Sequence, residues 1–518
     1  MNLPLEHRYP VCKGAVSAPA WSHLMSLCDG TPDLDSFPDA LAQCAGNGIP
    51  AFLPDLARLE LTAHLVLRDA PAVHRNVDVL CVNPALRLLE LSWKGLSSFF
   101  ESRDCRSTIG PGAELVLIWP HPDTGSANIR PASSEDLLVL KMAMEGIAPD
   151  AAAKEGPLSV DAIDAALRRG VRNGILLAPP SRIRRDPSVF QSLPDTNNEF
   201  LESPSFTLQW HITQACDLHC KHCYDRSDRP PISLDRAISV LDDLRAFCGD
   251  RNVQGAVSFS GGNPFLHPHF TDIYRAAADR GFSLAILGNP SSRDRMEEII
   301  AIRKPAFFQV SLEGLPEHNN AIRGAGHFER IMTFLDMLRE LDVYTMVMLT
   351  LTRENMDQVI SLGRMLRDRA DVFHFNRLSL AGEGANLRLP SRDAYRDFLN
   401  GYLRAMQENP LLGLKDNLFN ILRQETGRSL FGGCTGYGCG AAFNFVSLLA
   451  DGEVHACRKF ASPIGNITQQ SLADIYDSPG ARQYRLGPEA CRSCAIRPVC
   501  GGCLASAHSH GLDIFEKK

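Results

Sequence analysis

The chain has 518 residues, enough for about three domains, and its 44% hydrophobic and 22% charged residues are ordinary for a soluble globular protein. A net charge of −7 argues against broad nucleic-acid binding, which needs a basic face. The start, MNLPLEHRYPVCKG, is broken by charges and prolines and is no secretory signal, and no apolar run is long enough to span a membrane. We therefore expect a cytoplasmic protein without membrane association, whose 16 cysteines are reduced thiols or metal ligands.

Residues 1–110 are predicted to form a helical region with irregular connections. Apolar residues recur at helical spacing over 53–67, and Pro54 is well placed in the first turn. The cysteines of this region have no ligand spacing, so we interpret each as a small buried apolar residue: Cys12, Cys28, Cys44, Cys81 and Cys105.

Residues 111–190 form a second unit with the element order of a winged helix. We predict strands at 114–119 and 127–130, helices at 134–145 and 160–173, and a short wing strand at 175–177. The second helix carries few side chains suited to reading DNA bases. The unit more resembles the winged-helix peptide-recognition element of ribosomal-peptide pathways. That resemblance implies that a leader peptide adds a strand to a sheet edge, at 114–119 or at 175–177; a structural cap is the alternative.

A polar linker precedes residues 205–390, in which apolar strands alternate with helices. The predicted strands are 207–213, 256–260, 284–287, 307–311, 345–351 and 372–378, and the predicted helices are 234–248, 268–280, 293–302, 327–341 and 356–368. Such alternation indicates an α/β fold with a parallel sheet and right-handed crossovers. Six units indicate a partial (β/α)6 barrel, which carries its chemistry at the carboxyl ends of the strands.

Three cysteines follow the first of these strands, Cys216, Cys220 and Cys223, with the spacing C-x3-C-x2-C. Three thiolates on one loop can hold three irons of a [4Fe–4S] cluster and leave the fourth iron open. A zinc knuckle is an alternative, because His219 and His222 could complete it, and three buried thiols are another. The motif resembles the radical SAM superfamily. That resemblance implies that the open iron binds S-adenosylmethionine (SAM), which one electron cleaves to a 5′-deoxyadenosyl radical.

A turn after the second strand, Gly261, Gly262, Asn263 and Pro264, resembles the Gly-Gly-Glu-Pro turn of this family. The family's turn is implied to hold the amino group of SAM, and its glycines would let the main chain approach that ligand closely. Asn263 replaces the acid, which keeps a hydrogen-bond acceptor but removes the charge. Asn289 follows the third strand, where relatives often carry Asn-Gly, and is a further candidate for cofactor binding.

The fourth strand ends in VSLEG and is followed by His318 and by an Arg-Gly pair. This stretch resembles the family's VSLDG…HD..RG. The resemblance implies that Ser311 and Arg323 bind the SAM carboxylate, with Arg323 as a fork-shaped donor. A surface ion pair between Arg323 and Glu317 is the alternative.

Residues 391–430 are predicted to be a helical bridge, and residues 431–518 form a cysteine-rich domain. Its cysteines are Cys434, Cys439, Cys457, Cys491, Cys494, Cys500 and Cys503. Disulfides explain them poorly in a cytoplasmic protein. The pattern resembles the SPASM domain, a carrier of auxiliary [4Fe–4S] clusters in radical SAM maturases.

The SPASM resemblance divides these cysteines into two ligand sets. It implies that a first auxiliary cluster is held by Cys434, Cys439, Cys457 and Cys503, and that three irons of a second are held by Cys491, Cys494 and Cys500. The chain departs from the family in its last interval, x2 instead of x3, and in lacking an eighth cysteine. Either His508 or His510 completes the second cluster, that cluster keeps an open site, or both histidines belong to a tail without a role.

We therefore predict a radical SAM/SPASM maturase that modifies a ribosomally synthesised, Cys-rich peptide, with a thioether as one outcome. The phrases LPDLARLE and NPALRLLEL, the SGGNP turn and the cysteine pattern together resemble the selenobiotic family of peptide maturases. The implied partners are a precursor peptide and a flavodoxin or ferredoxin-type electron donor, with no nucleic acid and no membrane. The sequence singles out no catalytic residue beyond the cofactor ligands.

Two alternative functions are weighed against this prediction. An anaerobic sulfatase-maturing enzyme, which makes formylglycine, has an Asp base directly after the cysteine that corresponds to Cys457, where this chain has Arg458. A non-catalytic iron–sulfur sensor or DNA-binding regulator belongs to another class, and the SAM-like residues at the strand ends count against it.

Overall fold

The structure is a computed structural model that describes residues 5–27, 35–44, 49–69, 77–102, 109–121, 125–156, 158, 160–190, 200–511 and 515. It divides into two compact units, residues 1–180 and residues 181–518. The boundary after Pro180 lies before the predicted end of the second region at 190. Within the described residues, no helix is both long enough and apolar enough to cross a bilayer.

The first unit is a mixed α/β structure. Its described helices are α1 (Leu5–Arg8), α2 (Pro10–Gly14), α3 (Ala18–Leu27), α4 (Phe37–Gln43), α5 (Leu53–Asp69), α6 (Leu96–Ser102), α7 (Ser134–Glu145), α8 (Pro149–Glu155) and α9 (Val160–Arg172). Its strands are β1 (Cys81–Val82), β2 (Arg87–Lys94), β3 (Gly110–Pro120), β4 (Ala127–Pro131) and β5 (Leu176–Leu177). Cys12 is buried and Cys44 and Cys81 are half-buried, whereas Cys28 and Cys105 lie outside the described residues.

Strand β2 departs from the prediction, because it lies in the region that was expected to be helical. Leu91 is buried, and Leu89 and Trp93 pack against the same apolar cluster as helix α5. These three residues alternate with exposed Glu90 and Ser92, which is the period of two that a half-buried strand requires. The alternation is the signal that the sequence prediction missed.

The central position of β3 corrects one predicted docking edge. The three-stranded antiparallel sheet has the order β2-β3-β4, so residues 114–119 have partners on both sides. That edge is wrong, since an added peptide strand needs an unpaired strand. Among the described strands of this sheet, the outer ones are β2 and β4. The wing strand β5 pairs on one side with β1.

The second unit contains the predicted parallel sheet. Its strands are β6 (Ser205–Thr213), β7 (Gln254–Gly261), β8 (Ser283–Leu287), β9 (Phe307–Ser311), β10 (Thr345–Leu351), β11 (Val372–Arg377), β12 (Phe445–Leu448), β13 (Glu453–His455) and β14 (Pro463–Asn466). The sheet order is β11-β10-β9-β8-β7-β6-β12-β13-β14, in which β6 to β11 are parallel neighbours. The six predicted barrel strands are therefore confirmed.

Helices cover the parallel sheet and continue into the carboxy-terminal region. They are α10 (Leu234–Asp250), α11 (Phe270–Asp279), α12 (Arg293–Ile302), α13 (Pro316–Arg323), α14 (His327–Glu340), α15 (Val359–Met365), α16 (Arg392–Glu408), α17 (Phe419–Glu425), α18 (Leu472–Asp477), α19 (Pro479–Leu486) and α20 (Leu504–Ser509). The segment predicted as a helix at 356–368 is shorter, since a 3-10 turn precedes α15. Helix α13, which ends at Arg323, was not predicted.

Strand β12 joins the cysteine-rich region to the barrel. It runs parallel to β6, with Phe445 opposite Thr207 and Leu448 opposite Trp210, and then turns back through β13. The two regions share one apolar core, in which the fully buried Trp210 and Phe259 rings lie 5.9 Å apart. The cysteine-rich region is thus built onto the first strand of the barrel, so its thiols are held at fixed positions relative to the strand ends.

Candidate active site

The three cysteines of the C-x3-C-x2-C loop line a cavity of about 360 Å³ at the carboxyl ends of the parallel strands. The loop leaves β6 at Thr213, so the strand itself directs Cys216, Cys220 and Cys223 to this end of the barrel. Other predicted cofactor residues that line the same cavity are Gly261, Gly262, Asn289, Ser311 and Arg323. Residues from five separate segments of the chain thus meet where a partial barrel is expected to carry its chemistry.

The surroundings of the sulfurs suit thiolate ligands. The Leu218 amide donates to Cys216 Sγ at 3.4 Å, and Arg323 Nη1 donates to Cys220 Sγ at 3.6 Å. Burial raises the pKa of the Cys216, Cys220 and Cys223 thiols, so they need a metal to become thiolates at neutral pH. Hydrogen-bond donors and an adjacent guanidinium would stabilise a cluster held by these sulfurs. The donor set therefore fits an iron–sulfur cluster.

The two histidines that could complete a zinc site with the cysteine loop are held by other side chains. His222 instead contacts the Glu313 carboxylate at 3.3 Å and the Arg323 guanidinium at 3.2 Å. His219 contacts Arg226. Both histidines thus have partners other than a shared metal.

The paired glycines have a structural reason that differs from the predicted one. The Gly262 amide donates to the Thr213 carbonyl at 2.8 Å, and the Asn263 amide donates to the Ala215 carbonyl at 2.8 Å. A Cβ on Gly262 would lie 2.1 Å from the Ala215 oxygen, and one on Gly261 would lie 2.2 Å from the Thr213 oxygen. The glycines therefore let the turn lie directly against the segment that leads into Cys216. This contact fixes the start of the cysteine loop.

A single added methyl group should disturb that loop. In Gly262→Ala the new Cβ meets backbone, which cannot move aside as a side chain can, so we expect a loss of about 1–3 kcal/mol in stability. We also expect less iron to be bound after anaerobic reconstitution, because Cys216 is displaced. Gly249→Ala is the matched control, since a Cβ at Gly249 meets nothing within 4 Å. An unchanged iron content and melting temperature in Gly262→Ala would contradict this account of the turn.

Asn263 and Pro264 lie behind the cavity surface. Asn263 is 4% exposed, and its Oδ1 accepts from the Phe265 amide at 3.3 Å while its Nδ2 donates to Asp217 at 3.1 Å. Pro264 is buried and starts a 3-10 turn. The structure thus brings Gly261 and Gly262 to the cavity and leaves the side chain of Asn263 occupied within the protein.

Arg323 forms a buried ion pair, but with Glu313 rather than with Glu317. Its Nε and Nη2 lie 2.9 and 2.6 Å from Glu313 Oε1, and Glu313 is 1% exposed. Burial raises the pKa of Glu313, but His222, Arg323 and the Thr350 amide outweigh burial and hold that pKa below its ordinary value. The surface-pair alternative is therefore wrong. Glu313 was not predicted as a site residue, although an acid at the end of an apolar strand was its visible signal.

Four of the carboxy-terminal cysteines surround a second cavity, which they line together: Cys434, Cys439, Cys457 and Cys503. Burial and the neighbouring Cys503 thiol raise the pKa of Cys439 to about 12. Burial also raises the pKa of Cys457 to about 11, with Cys503 and Cys434 adding to it. The four thiols thus share the lining of one cavity. Their role as ligands of a first auxiliary cluster stays a prediction.

The other three cysteines form a separate group. Burial raises the pKa of Cys500 to about 11, and the nearby Cys491 and Cys494 add to this rise. His508 packs on the Phe460 ring with centroids 5.4 Å apart, and His510 is exposed. In the described residues, no hydrogen bond joins either histidine to this group. The fourth ligand of a second cluster is therefore not identified by the structure.

Two cations lie in the wall between the cavities. Arg458 and Lys459 line both cavities, together with Asn376 and Arg377. Arg458 Nη1 donates to Ser260 Oγ at 3.2 Å, whereas Arg377 is paired with the Asp416 carboxylate at 2.7 Å. An arginine side chain has donors but no acceptor atom, so Arg458 does not replace the carboxylate that an Asp supplies in sulfatase-maturing enzymes.

Comparison with known proteins agrees with this geometry. Residues 210–366 match the radical SAM superfamily, and residues 439–503 match the SPASM iron–sulfur cluster-binding domain. The AdoMet-dependent heme synthase of Methanosarcina barkeri is 24% identical over 342 residues, which cover 60% of this chain and 94% of that protein. The mycofactocin maturase MftC of Mycobacterium ulcerans is 27% identical over 336 residues, which cover 61% and 86%.

Two further relatives are named for peptide products or substrates. The subtilosin biosynthesis protein AlbA of Bacillus subtilis is 24% identical over 313 residues, which cover 57% of this chain and 66% of AlbA. The crystal structure of Streptococcus suis SuiB bound to S-adenosylmethionine has a TM-score of 0.50 and 17% identity, and it covers 78% of this chain and 96% of SuiB. SuiB has also been solved with its precursor peptide SuiA.

The fold, the thiols at the strand ends and the two domain matches all point to the same class of protein. A non-catalytic sensor does not account for a radical SAM domain with its cavity at the carboxyl ends of the strands. The chain therefore contains a radical SAM domain and a carboxy-terminal SPASM domain, and as a radical SAM enzyme it uses a [4Fe–4S] cluster and S-adenosylmethionine.

Proposed function

We propose that the enzyme modifies a ribosomally synthesised precursor peptide. The observation that carries the proposal is the extent of the likeness to SuiB, which covers 78% of the chain. Residues 181–518 make up only about two thirds of the 518 residues, so the likeness must extend into the first unit. SuiB has been solved with a precursor peptide. An amino-terminal unit shared with such a protein supports a role in binding peptide.

A tetrapyrrole substrate is the second candidate, because heme synthases are similar at the same level of identity. The Methanosarcina barkeri heme synthase uses 94% of its own length to match 60% of this chain. A large part of this chain therefore has no counterpart in the heme synthase. The peptide proposal gives that part a use as a peptide-binding unit, whereas the tetrapyrrole proposal gives it none.

In the proposed reaction, the protein's task is to hold the reactants and to exclude water. The bound cluster and SAM together supply the 5′-deoxyadenosyl radical. Cys216, Cys220 and Cys223 would hold the cluster, and Ser311 and Arg323 would face the carboxylate of SAM, as the family resemblance implies. The strand-end cavity shields the radical, while the wall of Arg458 and Lys459 separates it from the SPASM cysteines.

A thioether is our proposed product, and a Cys-rich precursor is the proposed substrate. Formation of the bond breaks one C–H and one S–H bond and makes one C–S bond. One hydrogen atom of the substrate is recovered in 5′-deoxyadenosine. The substrate also loses one proton and one electron. The SPASM cysteines would hold clusters able to accept that electron, and a flavodoxin or ferredoxin-type partner would be its final acceptor. Formylglycine formation is less well supported, because Arg458 occupies the position of the base.

We further propose that the leader of the precursor adds to an outer strand of the first unit, either β2 or β4. Leu88 on β2 is 49% exposed, which gives an added strand an apolar side chain to cover. On β4, Pro131 lacks an amide hydrogen and Arg130 is held by Asp136 at 2.6 Å, so this strand offers fewer free groups. The observations thus favour β2. Tethering the leader raises the local concentration of the core peptide.

The proposal is tested by sequencing the neighbouring open reading frames for a small Cys-rich peptide, which is then synthesised as the candidate substrate. The reconstituted, reduced enzyme is incubated anaerobically with SAM and either this peptide or iron coproporphyrin, and products are analysed by mass spectrometry. We expect the peptide alone to lose two hydrogen atoms, with 5′-deoxyadenosine formed in proportion. Conversion of the porphyrin, with the peptide unchanged, would instead establish the second candidate.

A further inference from the structure

The strand-end cavity is lined by more positive than negative side chains. Of the described residues that line it, one is acidic, Asp225, and five are basic: Arg226, Arg323, Arg377, Arg458 and Lys459. Asp225 accepts from the Ser227 amide at 2.9 Å and from Gln214 at 2.8 Å, and among the described residues it forms no salt bridge. The cavity therefore has an excess of positive charge that its own acid does not balance.

Three of the five cations are neutralised or screened without any ligand. Arg323 pairs with Glu313 at 2.6 Å and Arg377 pairs with Asp416 at 2.7 Å, through acids that do not line the cavity. Arg226 is exposed, so water screens its charge. The excess charge is thus carried by the two remaining cations, which lie in the wall between the cavities.

Arg458 and Lys459 form no salt bridge with any described residue. Arg458 Nη1 donates to Ser260 Oγ at 3.2 Å, and its side chain has no other hydrogen bond in the described part of the chain. Ser260 lies at the carboxyl end of β7 and lines the strand-end cavity but not the second one. A neutral hydroxyl thus holds the Arg458 guanidinium at the strand ends without balancing its charge.

The two cations differ in the negative charge that is available to them. Burial lowers the pKa of Lys459, whereas thiols of the second cavity, Cys503 foremost, favour its charged form. Lys459 can therefore balance thiolates in that cavity. In the strand-end cavity the cofactors balance each other, since SAM carries a net positive charge and a cluster held by three thiolates carries a net negative one. Arg458 is left as a half-buried cation without a counter-charge, which is costly unless a ligand supplies one.

We propose that Arg458 binds an acidic side chain of the core peptide, an Asp or Glu close to the residue that is modified. The inference rests on the proposed function and names a feature of its substrate. A guanidinium presents pairs of N–H groups that match the two oxygens of a carboxylate, and the bond to Ser260 uses only one nitrogen of Arg458. The carboxylate would anchor the core peptide at the wall between the two cavities.

The test uses short synthetic peptides as probes of the strand-end cavity. The hexapeptide Gly-Cys-Gly-Asp-Gly-Gly, acetylated and amidated at its ends, is compared with its Asn counterpart and with the Asn peptide carrying a free terminal carboxylate. Binding to the reconstituted full-length enzyme with SAM is measured by equilibrium dialysis without reductant, so that no turnover occurs. The intact enzyme should bind the Asp peptide about tenfold more tightly than either Asn peptide, because it gains a charge-assisted interaction. Arg458→Gln should lose this preference, and Arg458→Lys should keep part of it.

A matched control removes the same charge elsewhere in the SPASM region. Arg482 on α19 is exposed and lines neither cavity, so Arg482→Gln should leave the preference for the Asp peptide unchanged. The affinity for SAM, the iron content and the spectrum of the clusters are recorded for every variant. In Arg458→Gln these three quantities should match those of the intact enzyme.

Several results would overturn the inference. No measurable difference between the Asp and Asn peptides, or a preference that persists in Arg458→Gln, would do so and would leave the proposed function standing if the precursor is still modified. Tighter binding of the free-ended Asn peptide would assign the site to a peptide terminus. Weaker SAM binding in Arg458→Gln would assign the guanidinium to the cofactor, and a changed cluster spectrum would assign it to the SPASM thiolates. Conversion of iron coproporphyrin without binding of any peptide would overturn both the proposed function and this inference.

Discussion

Replacing Cys216, Cys220 and Cys223 together with Ala should abolish the formation of 5′-deoxyadenosine. The three thiols line one cavity, and the cluster they would hold is the source of the electron that cleaves SAM. The intact chain should bind about twelve irons after anaerobic reconstitution, from three four-iron clusters, and the triple variant about eight. Iron and acid-labile sulfide are measured on the same preparation as 5′-deoxyadenosine.

The iron count also tests the two SPASM cysteine sets separately. Cys457→Ala, from the set around the second cavity, and Cys494→Ala, from the other set, should each lower the iron content while leaving the loop at Cys216 in place. Cys81→Ala is the matched control, because this half-buried thiol belongs to the first unit, in which no cluster ligand is predicted. Cleavage of SAM by the triple variant after reduction would refute the assignment of the cofactor loop.

The sequence predicted the barrel because each of its strands is an apolar run followed by an amphipathic helix. The run from Phe206 to Ile212 is long and apolar, and it forms β6 in the middle of the sheet. Strand β12 has only the four residues Phe445–Leu448, and its partner β6 lies far back in the chain. A short strand with a distant partner leaves no local signal, so the joining of the SPASM region to the barrel could not be predicted.

The sequence could predict the residues of the cofactor site but not the contacts between their side chains. The spacing of the cysteines and the resemblance of the turn at Gly261 to the family's turn predicted these two segments, since each is continuous in the chain. The contacts of Asn263 with Asp217 and of Arg323 with Glu313 depend on how loops from different strands meet. The sequence therefore predicted which side chains lie near the cofactor site. The structure identified the partner that each of these side chains already has within the protein.

The burial of the segment after Pro180 could not be predicted from its composition. Residues 181–190 were predicted to be the end of the winged-helix unit, yet they belong to the second unit, where Ile183 is fully buried in the core. Arg185 is buried there as well, between the Phe190 and Phe443 rings at 4.5 and 4.1 Å. A charged residue in a polar stretch gives no sign of burial, because what makes it stable is a set of carbonyl groups elsewhere in the chain.

Those carbonyl groups belong to the SPASM region, which makes the segment important for any truncation. The Arg185 guanidinium donates to the carbonyl oxygens of Tyr437, Cys439 and Arg485 at 2.9, 2.8 and 3.1 Å. Cys439 is one of the cysteines around the second cavity. Burial lowers the pKa of Arg185 to about 10, which still leaves the guanidinium charged at neutral pH. The segment therefore supports the position of a predicted cluster ligand.

Removing residues 1–180 should consequently separate the two activities of the enzyme. All predicted cluster ligands and Arg185 remain, so SAM cleavage without peptide should persist and the iron content should stay near that of the intact chain. Modification of the precursor should fall by at least about tenfold, because the core peptide loses its tether and must bind from solution. If the truncated enzyme modified the precursor as well as the intact chain does, the first unit would have no part in recognition.

A slightly longer deletion should have a different effect. Removing residues 1–190 also removes Arg185 and Phe190, and it leaves the three buried carbonyl groups without their donor, at a cost of about 1–3 kcal/mol for each unsatisfied group. We expect a lower melting temperature and fewer bound irons than after removal of 1–180.

Arg185→Leu in the full-length chain separates the two effects, since it removes the donor and keeps the first unit. That variant should lose iron from the SPASM region while still binding the precursor leader, measured with a fluorescently labelled leader peptide. Normal iron content in both Arg185→Leu and the longer deletion would show that the segment is dispensable for the SPASM site.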